Sequence, residues 1–225
     1  MLDWLPPNVS TYGGEIDKFF YVIYYITTAV FFLVAGAMIY FIFKYRHKEG
    51  RKARYYHGNV TLEYIWTSAT FIAMIVLALV SKPVWSKIKQ HVPPTDIVVQ
   101  VTGKQFNWEM LYPGPDKTFG TSDDYQVDNL LHVPVNTVVE VRLKSKDVIH
   151  SFFVPQVRLK QDAVPGREIR AWFEVTQTGK YEIPCAELCG FGHSGMLGHL
   201  LVHTPEEYDA WVQSTWPPST PPMNQ

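Results

Sequence analysis

Residues 19–43 form an unbroken run of 25 positions without a single charge. As a helix such a run is about 37 Å long, enough to cross the ~30 Å hydrocarbon core of a bilayer with some tilt. Tyr21, Tyr24, Tyr25 and Tyr40 gather towards its ends, where interfacial aromatics sit. A second apolar run over 64–81 reaches about 27 Å. Trp66 and Trp85 bracket it, and Lys82 can extend its ammonium to the headgroups. The first run is too long for a secretory leader, and Asp3, Glu15 and Asp17 against Lys18 are the wrong charges before one. Both runs are therefore expected as retained membrane helices.

The loop between them sets the expected orientation. Lys44, Arg46, Lys48, Arg51, Lys52 and Arg54 stand there against Glu49 and the boundary residue Glu63. Basic loops stay on the cytoplasmic side. Loop 44–57 is thus expected in the cytoplasm of a bacterial cell, with both chain ends on the periplasmic or outer face of the inner membrane. Glu63 follows at the cytoplasmic mouth of the second helix. A carboxylate there suits proton uptake, and it equally suits a first-turn residue favoured by the helix dipole. Across the chain 20 Lys and Arg balance 21 Asp and Glu. That excludes a broadly basic nucleic-acid binder and a highly charged disordered chain.

From Thr95 the pattern changes to period two. In 137–144 Val139, Val141 and Leu143 share one face, and Glu140, Arg142 and Lys144 the other. In 168–176 Ile169, Ala171, Phe173 and Val175 alternate with Arg170, Trp172, Glu174 and Thr176. Further strands are expected at 96–102, 130–133, 148–154, 180–183 and 198–203, separated by Pro- and Gly-bearing turns. Short strands at this spacing make an antiparallel sandwich or barrel. Thr204-Pro205-Glu206-Glu207 is a capping box opening a short helix with Tyr208, Trp211 and Val212 on one face. The acidic stretch 113–128 reads as a solvated surface loop. The fold class is membrane α plus all-β: a two-helix transmembrane hairpin within 1–90 (helices about 19–43 and 64–82), an extramembrane β-domain over 91–216, and a loose Pro-rich tail over 217–225.

The chemistry concentrates in Cys185-Ala-Glu187-Leu-Cys189-Gly-Phe-Gly-His193-Ser-Gly-Met196. Two thiols, an imidazole and a thioether lie within twelve residues, and His150 in a hydrophobic stretch is placed to join them. Soft sulfur ligands favour copper, zinc or iron–sulfur. A disulfide between Cys185 and Cys189 leaves His193 and Met196 unexplained. A Cys2His2 zinc site has no use for Met. A single blue-copper ion needs one Cys, and here there are two. Two thiolates bridging two coppers, with one imidazole on each, uses His150, Cys185, Cys189 and His193. Met196 and the Glu187 carbonyl are then weak outer ligands.

This loop resembles the Cys-x-Glu-x-Cys-x-x-x-His-x-x-Met binuclear copper A motif of cytochrome c oxidase subunit II, the heme–copper terminal oxidase family. His150 within Asp147-Val-Ile-His-Ser-Phe and the turn Asp162-Ala-Val-Pro-Gly-Arg167 are similar to that family's segments, and the likeness runs over about 15–213. The resemblance implies a cupredoxin-like Greek-key barrel outside the membrane. It implies copper on His150, Cys185, Glu187, Cys189, His193 and Met196, and a magnesium or manganese ion, shared with subunit I, on the Glu187 carboxylate. Electrons would come from a separate cytochrome c and pass to heme in subunit I, with copper B also in that partner, and protons would be pumped. Subunit III would complete the assembly. Glu63 would mark the mouth of a proton channel. Phe106, in Gly103-Lys-Gln105-Phe106-Asn-Trp108, stands where the family usually has the tryptophan at which electrons arrive, and Trp108 keeps the second aromatic.

No Cys-x-x-Cys-His occurs, so no cytochrome c is fused to these residues. After Ser86 there are 16 acidic and 12 basic side chains, a net of −4, which favours a basic donor. Neither apolar run holds a histidine, so the heme must be a partner's. His47, His57, His91 and His132 are expected on loops or surfaces, and His199 and His203 in structural roles. The rival readings are a copper A domain of a nitrous-oxide or nitric-oxide reductase, and a membrane-anchored structural zinc protein.

Overall fold

The computed structural model describes residues 4–53, 55–95 and 97–216. Arg54, Asp96 and the tail over 217–225 lie outside them. The chain forms two compact units, one from Glu15 to Ser86 and the other from the residues on either side of it.

The first unit is helical. α1 (Gly13–Tyr45) runs 33 residues, with Glu15 in its first turn and Lys44 in its last. α2 (Val60–Trp85) is capped by Asn59, whose side chain accepts from the Leu62 amide at 3.0 Å. Pro83, inside its last turn, cannot donate to the carbonyl four residues back. The helix then widens into a π-helical turn over Ser86–Gln90. Each helix is long and apolar enough to cross a membrane, and none of either apolar stretch is buried. Water does not tolerate so large an exposed apolar surface, whereas lipid requires it. This is a membrane-anchored chain. Glu63 lies exposed in the first turn of α2.

Among its described residues the second unit has ten strands: β1 (Ile97–Lys104), β2 (Asn107–Tyr112), β3 (Tyr125–Asp128), β4 (Leu130–Pro134), β5 (Val138–Ser145), β6 (His150–Val154), β7 (Leu159–Ala163), β8 (Ile169–Glu174), β9 (Gly179–Pro184) and β10 (Leu197–His203). α3 (Pro205–Thr215) follows, and its capping box is complete: Thr204 Oγ1 accepts from the Glu207 amide, and the Glu207 carboxylate accepts from the Thr204 amide. One sheet has the order β3-β2-β1-β5-β8, a second β4-β10-β9, and β6 pairs with β7. Val99, Val101, Trp108, Val141, Phe152, Phe173, Ile183 and Leu200 fill the space between them.

Two features differ from the sequence expectation. β1 pairs parallel to β5, and β4 parallel to β10, so the sheets are mixed rather than purely antiparallel. Alternation reports which face is buried but carries no strand direction. The acidic excursion is also shorter than expected, because Tyr125–Asp128 pairs with β2. The oxygens of Asp116, Asp123 and Asp124 accept from Thr118, Thr121 and Gly120 within it.

The alternation itself breaks at β5 and β8. Trp172 is buried on the face opposite Ala171 and Phe173 because the segment before α1 covers it. Ser10 bridges to Val175, Val9 exchanges hydrogen bonds with Gln156 and Thr176, and the Tyr12 ring packs edge-on against Trp172 at 5.2 Å. Glu140, predicted to face solvent, is only 3% exposed. Arg142 and Arg170 both donate to its carboxylate.

Burial opposes the charge on Glu140, but hydrogen bonds from Arg170 and then Arg142 outweigh it and hold the carboxyl below the usual range. A depressed folded pKa contributes stability above the ordinary value of about 4.3 and loses it as pH falls through the folded value. Glu140→Gln should therefore cost about 1–3 kcal/mol at neutral pH and flatten the loss of stability on acidification. Denaturant unfolding of the detergent-solubilised chain, followed by tryptophan fluorescence between pH 7 and pH 3, measures both.

Candidate metal centre

Two backbone contacts bring the sulfur-bearing loop against β6, and a third closes the loop on itself. Phe152 and Cys185 form an antiparallel bridge, the Ala186 amide donates to the Ser151 carbonyl at 3.0 Å, and the Cys185 amide donates to the Met196 carbonyl at 3.1 Å. Ser151 is itself fixed by donating to Asp162 at 2.7 Å. The loop thus leaves β9, turns back on itself and rejoins at β10, with Cys185, Cys189 and Met196 buried.

His150 is fully buried at the start of β6. Its ring lies so close to β1 that a Cβ on Gly103 would stand 2.8 Å from His150 Cδ2, which is why that strand position has no side chain. His150 Nε2 is 2.7 Å from Asp147 Oδ1, and Nδ1 is 3.8 Å from Cys185 Sγ. Donating Nε2–H to the carboxylate leaves the Nδ1 lone pair aimed at the sulfur, the arrangement that orients a metal-binding imidazole. Burial opposes charge on Asp147, yet the bonds from His150 and from the Gln105 and Val148 amides keep its carboxyl below the usual range.

The two thiols are free, with Sγ atoms 3.9 Å apart. A disulfide is about 2.05 Å, so the pair is not bonded. His193 Nδ1 is 3.6 Å and Met196 Sδ 3.8 Å from Cys189 Sγ. The Cys185 thiol donates to the Glu187 carbonyl at 3.2 Å, while the Glu187 carboxylate side is exposed. Burial, and then the neighbouring Cys185, push the Cys189 thiol up to about 11.

These residues fit a copper pair better than one ion. His150, Cys185 and Cys189 place ligand atoms within 4.8 Å of one another, and His193 falls outside that group. Around a tetrahedral zinc, with bonds of about 2.0–2.3 Å, all four donors would close on one point. Here each sulfur instead has its own imidazole, His150 on Cys185 and His193 on Cys189. The thioether lies on one side and the carbonyl on the other. Sulfurs 3.9 Å apart can share an ion, since a metal–sulfur bond is about 2.3 Å. Among the described residues this is the one Cys/His/acidic cluster with metal-binding spacing.

The two aromatics of the 103–108 segment part company. Phe106 is 39% exposed, and its ring rests on the sulfur loop: a Cβ on Gly192 would stand 2.5 Å from it. Trp108 is fully buried, edge-on to Phe152 at 5.7 Å and to His150 at 5.9 Å. Glu63 lies in the helical unit and belongs to no cluster here. His132 corrects an expectation. It stands half-buried in β4, the strand expected over 130–133, rather than on the surface, with Nδ1 2.9 Å from His203 Nε2 and its ring stacked on Trp211 at 4.6 Å. Burial, then His203, lower its pKa to about 4. Asp147 and Gln105 escaped assignment from sequence, because neither belongs to a metal-binding spacing; only the fold brings them to the ligands.

Comparison with known proteins agrees with this geometry. Residues 97–201 match the family described as cytochrome c oxidase subunit II, periplasmic domain, and residues 4–84 match its transmembrane domain. An alternative cytochrome c oxidase subunit 2 of Bradyrhizobium diazoefficiens is 33% identical, over 93% of this chain and 83% of its own length. A cytochrome c oxidase subunit 2 of Thermostichus vulcanus is 30% identical, over 97% of this chain and 80% of its own. The crystal structure of the periplasmic domain of subunit II of cytochrome oxidase from Bradyrhizobium japonicum matches with a TM-score of 0.50 and 34% identity, covering 56% of this chain and 96% of that one. With a cupredoxin-like β unit, two membrane helices and a Cys/His cluster consistent with copper, the chain belongs to the cytochrome c oxidase subunit II family and is a subunit of an oxidoreductase.

Proposed function

We propose that this chain is the electron-accepting subunit of a proton-pumping heme–copper oxidase, holding a binuclear copper A centre on His150, Cys185, Glu187, Cys189, His193 and Met196. The observation that carries the reading is the division of donors around two shared sulfurs, one imidazole to each. When bound, the copper pair supplies a one-electron carrier. The protein's part is to hold its donors in one geometry for both redox states. Strands β6, β9 and β10 anchor the ligands, and Asp147 orients the His150 ring.

Electrons delivered by cytochrome c go on to heme in subunit I, which with copper B reduces oxygen to water. Phe106 is the aromatic that meets the donor, which its exposure against the sulfur loop supports. Trp108 lies beneath, beside His150. The net charge of −4 after Ser86 supports a basic donor. The Glu187 carboxylate would bind a magnesium or manganese ion shared with subunit I, a role its exposure supports, and subunit III completes the complex. The segments that adjoin α1 and α2, residues 9–12 and 87–90, both belong to the β unit. That supports both chain ends on the periplasmic face, and basic loop 44–57 with Glu63 on the cytoplasmic face, where Glu63 admits protons.

Metal analysis of the purified full-length subunit should give two coppers per chain with mixed-valence near-infrared absorption. A single colourless zinc overturns the assignment. Met196→Leu, a swap of nearly equal volume, should keep both coppers and shift their midpoint potential, since axial ligands tune it. Loss of all metal contradicts a weak-ligand role. Glu63→Gln should slow turnover of the assembled oxidase severalfold and leave the copper spectrum unchanged; unaltered turnover and proton uptake remove Glu63 from the channel.

A further inference from the structure

We propose that Gln105 is a positioning residue that locks the two halves of the copper ligand set together. This inference rests on the copper reading above. The proposed ligands come from two stretches of chain: His150 after the β5–β6 turn, and Cys185 to Met196 in the loop before β10. Gln105 belongs to neither. It sits in the turn between β1 and β2 and reaches both at once.

Its backbone amide donates to Asp147 Oδ2 at 2.7 Å, and the other oxygen of that carboxylate holds His150 Nε2 at 2.7 Å. Its side-chain amide donates to the Cys189 carbonyl at 2.6 Å. One residue therefore carries a hydrogen-bonded path from the imidazole on one sulfur to the backbone of the cysteine that supplies the other. The sulfur loop is shaped to admit it. Gly190 has a φ of +136° and no Cβ; one there would stand 2.7 Å from Gln105 Nε2. The neighbouring Phe106 ring occupies the corresponding space at Gly192. The fit of the 105–106 turn against Gly190 and Gly192, on either side of Phe191, fixes where Cys189 can sit, and with it the separation of the sulfurs.

A ligand shell holds its metal only when its members stay within about 0.5 Å of the productive geometry. Groups that hydrogen-bond to ligands supply that constraint, and their removal typically costs 10–100-fold in metal affinity. Gln105 does this for a cysteine through the main chain, where no sulfur contact reveals it. Only an amide or a similar donor serves, because the Cys189 carbonyl can only accept.

The test uses the assembled, copper-loaded oxidase with Gln105→Ala and Gln105→Glu. Alanine removes the side-chain bond and leaves the main-chain bond to Asp147. Glutamate keeps the shape and replaces the donor with an acceptor. Both variants should lose copper to a chelator about 10–100-fold faster than wild type, with an altered copper hyperfine pattern in electron paramagnetic resonance. Heme content and the unfolding temperature of the metal-free complex should be unchanged. If alanine impairs assembly, glutamate, with the same shape, carries the comparison. Wild-type copper release and spectrum in the glutamate variant overturn the role of Gln105. A wild-type complex without two coppers overturns the underlying copper reading instead.

Discussion

Thiolates 3.9 Å apart repel each other by about 4 kcal/mol at an effective dielectric of ~20, and burial raises the penalty further. Left to themselves, the Cys185 and Cys189 side chains would rotate apart or oxidise to a disulfide. The β unit holds the two thiols close and unbonded. The bridge from Phe152 to Cys185, the bond from Ala186 to Ser151 and the return bond from Cys185 to Met196 fix the loop at both of its ends. A cation touching both sulfurs offsets their repulsion and favours the thiolate outright. The same closeness that is costly for two bare thiolates suits the shared metal proposed for this site.

The imidazoles follow from this constraint. His193 is carried by the loop itself, so its approach to Cys189 needs no help from the sheets. His150 comes from a different strand and must be brought in edgewise. That requires the absence of a side chain at Gly103 and a carboxylate on the far nitrogen. Neither demand concerns the metal directly. Both concern the room and the orientation that a buried ring needs before its lone pair can point at Cys185.

The ligand loop was legible because its chemistry is local: two thiols, an imidazole and a thioether at short spacing have few other uses. The membrane helices were legible because lipid needs a long uncharged run. The rest depended on contacts across the chain. Glu140 looks like a solvent-facing residue in an alternating strand, and only the pairing of β5 with β8 brings Arg170 to it. β2 was hidden because Trp108, Glu109 and Met110 are all buried in succession. Glu109 is tolerated there by ion pairs with Lys104 and Lys146, one from its own hairpin and one from a distant turn. His132 looks like a surface residue of its strand until α3 lays Trp211 over it. Periodicity reads one face of a strand against one core. It fails wherever a second layer covers the outer face.

That second layer has a particular role at Trp172. Tyr12 packs against its ring and donates its hydroxyl to the Trp172 carbonyl at 3.1 Å, and the Trp172 indole N–H donates to the Ile88 carbonyl at 3.0 Å. Tyr12 is the residue before α1 begins, and Ile88 lies in the π-helical turn that ends the second apolar helix. One side chain thus holds both connections to the membrane helices. Tyr12 is itself fully buried, so the outer face of β8 at Trp172 is a second core rather than a solvent face.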